Sequence, residues 1–133
     1  MIIVLDACAM IAYLRSEEGA EIIEELLVDD EVVCYAHAIN ICEVYYNFLR
    51  VSDEETAFRA IQDLQNCGLQ IREDMDSGLW QAAGVYKATQ QLSLADCFAL
   101  VLSLRLGAEL VTSDHHEFGP IQESGLCSIR FFR

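Results

Sequence analysis

The stretch LSLADCFALVLSLRLGAELVTSDHHEF, residues 92–118, reads as a helix and a strand in immediate succession. Ser93 followed by Asp96 is a helix-start signature, and the apolar run that begins there continues until Gly107 stops it. ELVT (109–112) comes next, a short apolar and β-branched run that reads as a strand and ends at Ser113 and Asp114. A helix handing over at once to a strand is half of a βαβ unit, the crossover that parallel strands require.

The same alternation extends in both directions. IIVL (2–5) is a continuous apolar run of the kind a strand covered on both faces shows. Residues 8–15 read as a helix, and a second helix over 17–28 sets Ile22, Ile23, Leu26 and Leu27 against Glu21, Glu24 and Glu25. VVCYA (32–36) is a strand, followed by helices over 39–50 and 53–68, the latter closing on Gly68. LQI (69–71) is a short strand, residues 75–91 a helix, and SIRFF (128–132) a closing strand. Strands separated by helices predict a three-layer α/β/α sandwich around a mostly parallel sheet of about five strands.

Composition sets the outer limits. A chain of 133 residues, 53% hydrophobic with one proline, predicts one packed domain spanning 1–133 and excludes disorder. No apolar run approaches the roughly 20 residues of a membrane span. The chain opens on MIIVLDA with no basic leader, so no membrane association and a cytoplasmic location are expected. Six cysteines (8, 34, 42, 67, 97 and 127) lie singly with no C-x-x-C, as buried reduced thiols would. Twenty-two acids against eight bases give a net charge of −14, with Lys87 the sole lysine. That field does not favour a polyanion, which would have to be met through cations, local arginines or a basic partner.

Four acids stand where an open parallel sheet places its sites, outside the carboxyl ends of the strands. Asp6 follows the first strand and Asp114 the 109–112 strand. Asp96 lies in the first turn of the preceding helix, and Glu43 is the one acid in the apolar INICEVYYNFLR (39–50). Each has an ordinary explanation: Asp6 a helix cap, Asp96 half of a capping box, Asp114 a turn starter, Glu43 a solvated stripe with Asn40 and Asn47. Taken together, four carboxylates at one edge resist ionising without a cation among them, and oxygen ligands suit Mg²⁺ or Mn²⁺. Such an ion can activate water and stabilise charge on a phosphodiester. His115 and His116 read as solvated loop residues, since adjacent side chains diverge and no third soft ligand stands at zinc spacing. Glu117 reads as a surface acid, or as an auxiliary carboxylate beside the site.

Three blocks carry a resemblance: IVLDACAMIAYLR (3–15), HAINICEVYYNFL (37–49) and residues 92–118. In order and spacing the chain resembles the PIN-domain family, and within it the VapC-like ribonuclease toxins of toxin–antitoxin pairs. The resemblance implies cleavage of single-stranded RNA with Mg²⁺ or Mn²⁺, a homodimer, and a cognate antitoxin. It implies catalytic roles for Asp6, Glu43, Asp96 and Asp114, with Asp6, Asp96 and Asp114 holding metal and Thr112 supporting the last carboxylate; Asn40 joins Thr112 as a supporting residue. Ala7 stands where the family often has a hydroxyl residue, and Ser113 where it often has Arg or Asn. Both departures, with the charge, imply weaker RNA affinity and slower cutting. The alternative is a PIN-fold binding or regulatory module with little or no catalysis. A phosphorylation-dependent receiver domain would need a lysine after its last strand, whereas Lys87 falls within a predicted helix. Tyr45, Tyr46, Phe48 and Trp80 are expected in the core or at a dimer interface, with base stacking as the other use. Arg15 and Arg50 read as surface arginines late in their helices.

Overall fold

A computed structural model describes residues 1–133. Twelve elements follow one another: β1 (Ile2–Leu5), α1 (Ala7–Leu14), α2 (Ala20–Val28), β2 (Val33–His37), α3 (Ala38–Val51), α4 (Glu54–Asn66), β3 (Gln70–Arg72), α5 (Ser77–Thr89), α6 (Leu94–Leu106), β4 (Glu109–Thr112), α7 (His115–Ser124) and β5 (Ile129–Phe131). The five strands form one sheet in the order β3-β2-β1-β4-β5, parallel throughout. The three-layer α/β/α expectation is met, and the sheet is wholly rather than mostly parallel.

Strand β1 shows why this architecture follows from an unbroken apolar run. Ile3 and Leu5 point into one core with residues of α1, α2, α3 and α4, while Val4 points into a second core with α5, α6 and α7. Successive side chains alternate across a strand, so only a strand apolar at every position can serve both layers. Helix α6 takes this further. Cys97 to Ser103 are buried one after another, leaving no exposed position until Leu104. A helix apolar on all sides belongs between other elements, and α6 packs against the sheet, α3 and α5.

Element ends differ from expectation where backbone geometry intervenes. The second helix starts at Ala20 rather than 17, because Ser16 and Gly19 adopt positive φ (52° and 86°) and turn the chain between α1 and α2. Residues 115–124 form α7, where no helix was expected and where Gly119-Pro120 looks like a turn. Phe118 and Ile121 bury one face of it in the second core. Burying those two side chains contributes roughly 3–6 kcal/mol, enough to offset the ~3 kcal/mol that an interior proline costs a helix. The six cysteines are free, but Cys8 and Cys42 are exposed, contrary to the expectation of buried thiols. Phe48 packs on the first core as expected, whereas Tyr46 and Trp80 lie 40% and 51% exposed. No helix is long and apolar enough to cross a membrane.

Candidate metal centre

Strand order decides where the acids meet. Strand β1 is flanked by β2 on one side and β4 on the other, so connections leave it in opposite directions and a crevice opens between β1 and β4. Asp6 and Asp114 are the residues that immediately follow the ends of those paired strands or lie one step beyond.

Asp6 is 1% exposed. Its Oδ1 accepts the Ala9 N–H at 2.9 Å and caps α1, while Oδ2 is buried without a partner. Burial, reinforced by the charges of Glu43 and Asp114, pushes its pKa up to about 7 despite the opposing effects of Thr112 and the Ala9 amide. Asp114 caps α7 by accepting the Glu117 N–H at 2.9 Å. The buried Thr112 hydroxyl in turn accepts the Asp114 N–H at 3.0 Å. Thr112 therefore holds the backbone of one acid and lies beside the carboxylate of another.

At the start of α6, Ser93 Oγ accepts the Asp96 N–H at 3.1 Å. The capping box is only half made. The Ser93 N–H donates to Glu117 Oε2 at 3.3 Å, so the Asp96 carboxylate is not spent on its own helix end. Burial, with Glu117 and Asp6 nearby, pushes the Asp96 pKa up to about 9. On α3, Glu43 Oε1 accepts from Asn40 Nδ2 at 3.4 Å, and the same amide reaches Ala95 O at 3.2 Å, tying α3 to the start of α6. Asn40 is fully buried with Oδ1 unpartnered, so Asn40 and Glu43 do not form a solvated stripe. Burial raises the Glu43 pKa, Asn40 lowers it, and Glu117 raises it further.

The tightest group is Asp96, Asp114 and Glu117, each offering a carboxylate oxygen within 4.8 Å of the others. Asp6 and Glu43 stand outside that trio but act on it and on each other, Asp6 with Glu43 and Asp114, and Glu43 with Glu117. The reading of Glu117 as a surface acid is corrected: it is half-buried, and the unexpected helix α7 turns it toward Asp96. One signal for it was in the sequence, since an acid three residues after an N-cap Asp belongs to the first helical turn. The loop reading of the histidines is corrected as well. His115 stacks on Phe131 at 3.9 Å and its Nε2 bonds Arg133 O at 2.8 Å, and neither histidine joins the acidic group.

This donor set fits a hard divalent cation. The ligands are all oxygens, Asp6 Oδ2 is buried and unpartnered, and Asp6, Glu43 and Asp96 are raised by burial and neighbouring carboxylates, with a hydrogen bond to Glu117 adding to the effect at Asp96.

An all-parallel β3-β2-β1-β4-β5 sheet with carboxylates gathered at its switch point defines an α/β/α protein with an acidic carboxyl-edge site. Residues 3–119 match the model of the PIN domain, and the chain belongs to that family. Among solved structures, it resembles a toxin–antitoxin complex from Klebsiella pneumoniae (TM-score 0.75, 15% identity, 98% of this chain and 97% of that one). VapBC-1 from nontypeable Haemophilus influenzae is similar too (TM-score 0.73, 20% identity, 99% and 98% covered). So is Mycobacterium tuberculosis VapC20, described as a sarcin–ricin loop-cleaving toxin (TM-score 0.68, 12% identity, 92% and 95% covered). No curated protein matches.

Proposed function

We propose that residues 1–133 act as one PIN-like unit, a Mg²⁺- or Mn²⁺-dependent endoribonuclease that cuts single-stranded RNA in the cytoplasm as the toxin of a toxin–antitoxin pair. The observation that carries this reading is the meeting of Asp96, Asp114 and Glu117 beside the unpartnered Oδ2 of Asp6. Family membership supports it, as does likeness to structures described as VapBC-1 and as a sarcin–ricin loop-cleaving toxin.

A divalent ion at this edge would supply Lewis acidity toward water and a phosphodiester. Asp96, Asp114 and Glu117 would hold it, with Asp6 Oδ2 as a further oxygen. Glu43 Oε1 is tied to Asn40, which leaves Oε2 to orient the attacking water and accept its proton. Thr112 and Asn40 keep these acids in register. A cognate antitoxin with a basic segment complements the −14 charge, and the active assembly is a homodimer.

Asp6→Asn and Asp96→Asn are expected to abolish Mn²⁺-dependent cutting of unstructured RNA while circular dichroism stays that of the wild type. Variants that cut as fast as wild type would refute the assignment. The charge favours one second reading, a binding module without turnover. Mn²⁺ binding by calorimetry with no RNA cleavage under any condition would establish it instead.

A further inference from the structure

Beside the acidic trio lies a second feature that the site has not used. A cavity of about 210 Å³ opens between the end of α5 and the first turns of α7, lined by Thr89, Gln90, Gln91, His116, Glu117 and Pro120. Glu117 forms part of its wall and also belongs to the trio, so cavity and acids share one side chain.

The segment that builds the cavity is held from both sides. Lys87 Nζ donates to Leu92 O at 2.9 Å, and the Ser93 N–H donates to Glu117 Oε2 at 3.3 Å. These bonds fix the segment by its backbone, and Gln90 and Gln91, both exposed, line the cavity. The neighbouring His115 is committed to Phe131 and Arg133, whereas His116 faces solvent and this cavity.

The lining chemistry selects a ligand class. Glutamine amides present donor and acceptor side by side, the pattern that matches a base edge, and imidazole offers a flat face for stacking. A phosphate would look for arginine or lysine, and none lines the cavity. Cations are scarce elsewhere too. Arg59, Arg72, Arg105, Arg130 and Arg133 are paired with acids. Arg15 bonds Asn47, Arg50 stacks on Tyr46, and Lys87 is committed to Leu92. Selection at this cavity therefore leans on neutral groups.

We infer that the Thr89–Gln91/His116 cavity is a nucleobase subsite, taking the base of a nucleotide that flanks the phosphate held at the acidic trio, with Gln90 and Gln91 reading the base edge. This deepens the nuclease reading above and rests on it for the position of the phosphate.

Two measurements test it. The first is a titration of ¹⁵N-labelled protein with the four nucleoside 5′-monophosphates and with ribose 5-phosphate. Base-dependent shifts in the signals of residues 89–91 and 116, absent with ribose 5-phosphate and lost in the Gln90→Ala/Gln91→Ala variant, are expected. Shifts that are absent there, or identical for all five probes, overturn the subsite. The second is cleavage-site sequencing on randomised single-stranded RNA with Mn²⁺. The wild type should prefer one base at a position next to the cut, and the double variant should lose about tenfold of that preference. A double variant with the wild-type preference overturns the inference while leaving the nuclease reading intact. A wild type that cuts no RNA defeats the nuclease reading, and the titration then decides the cavity by itself.

Discussion

Ser93 presents two groups at the start of α6. Its hydroxyl accepts the Asp96 N–H, and its own N–H donates to Glu117 Oε2. This exchange frees one carboxylate for the trio and fixes a second in place. Glu117→Gln keeps an oxygen for the Ser93 N–H but removes the charge. With one of the mutually repelling carboxylates neutralised, the cation-free variant should be at least as stable as wild type. A cation at a hundred times its Kd stabilises a fold by about 2.7 kcal/mol, and a site weakened tenfold retains about half of that. Thermal unfolding with and without Mn²⁺ should show the gain roughly halved in the variant. An unchanged gain would remove Glu117 from the site.

Helix α7 begins on Asp114, so one residue is both cap and proposed ligand, as Asp6 is for α1. The two roles separate by substitution, because asparagine caps a helix about as well as aspartate and alanine does not. Asp114→Asn should unfold near the wild-type denaturant midpoint yet lose Mn²⁺ binding by calorimetry. Asp114→Ala should lose both binding and about 1 kcal/mol of stability. Equal stability loss in the two variants would show that the charge, not the cap, supports α7. This doubling also explains why Asp6, taken singly in the sequence, looked like an ordinary helix cap and Asp114 like a turn starter. The strand ends and helix starts were legible because apolar periodicity and capping act over a few residues. Helix α7 was not, since its support comes from burial of Phe118 and Ile121 in a core assembled from distant segments.

Across the whole molecule, acids are distributed so that the chain's few cations act as clasps. Arg105 on α6 bonds Asp74 and Asp76 in the β3–α5 connection, and Arg72 bonds Asp74 from the other side. The Arg105 hydrogen bonds hold the Asp76 pKa well below the carboxylate range, and Arg72, then Arg105, lower that of Asp74. A folded-state pKa below the unfolded value gives stability that is present above about pH 4 and lost as pH falls through the folded value. The clasp's own contribution should therefore shrink between pH 6 and pH 3, so Arg105→Gln should lower the urea midpoint more at pH 6 than at pH 3. An Arg105→Gln variant with the wild-type pH dependence would show that the clasp contributes nothing. The two ends of the fold close differently. A Cβ on Gly19 would lie 2.6 Å from Phe132 Cδ2 and 2.7 Å from Phe132 O, at a φ of +86°. Arg133 meanwhile reaches Glu17 and Glu18 O at 3.1 Å. Gly19→Ala should cost about 3 kcal/mol in denaturant unfolding, combining backbone strain with overpacking. A loss under 1 kcal/mol would mean that the C-terminal segment yields freely.

The amino-acid order by itself determined the alternation of strands and helices, the covering of β1 on both faces, and the placing of Asp6, Glu43, Asp96 and Asp114 at strand ends and helix starts. Each of these rests on repeats of two or 3.6 residues and on capping groups within one turn. Only the tertiary structure decided that β1 lies between β2 and β4, that Glu117 closes on Asp96 and Asp114 while Asp6 stands beside them, and that His115 secures the last strand. Those outcomes depend on which segments become neighbours in the sheet and the two cores, and hydrophobic packing, being non-directional, leaves no local mark of that choice in any one stretch.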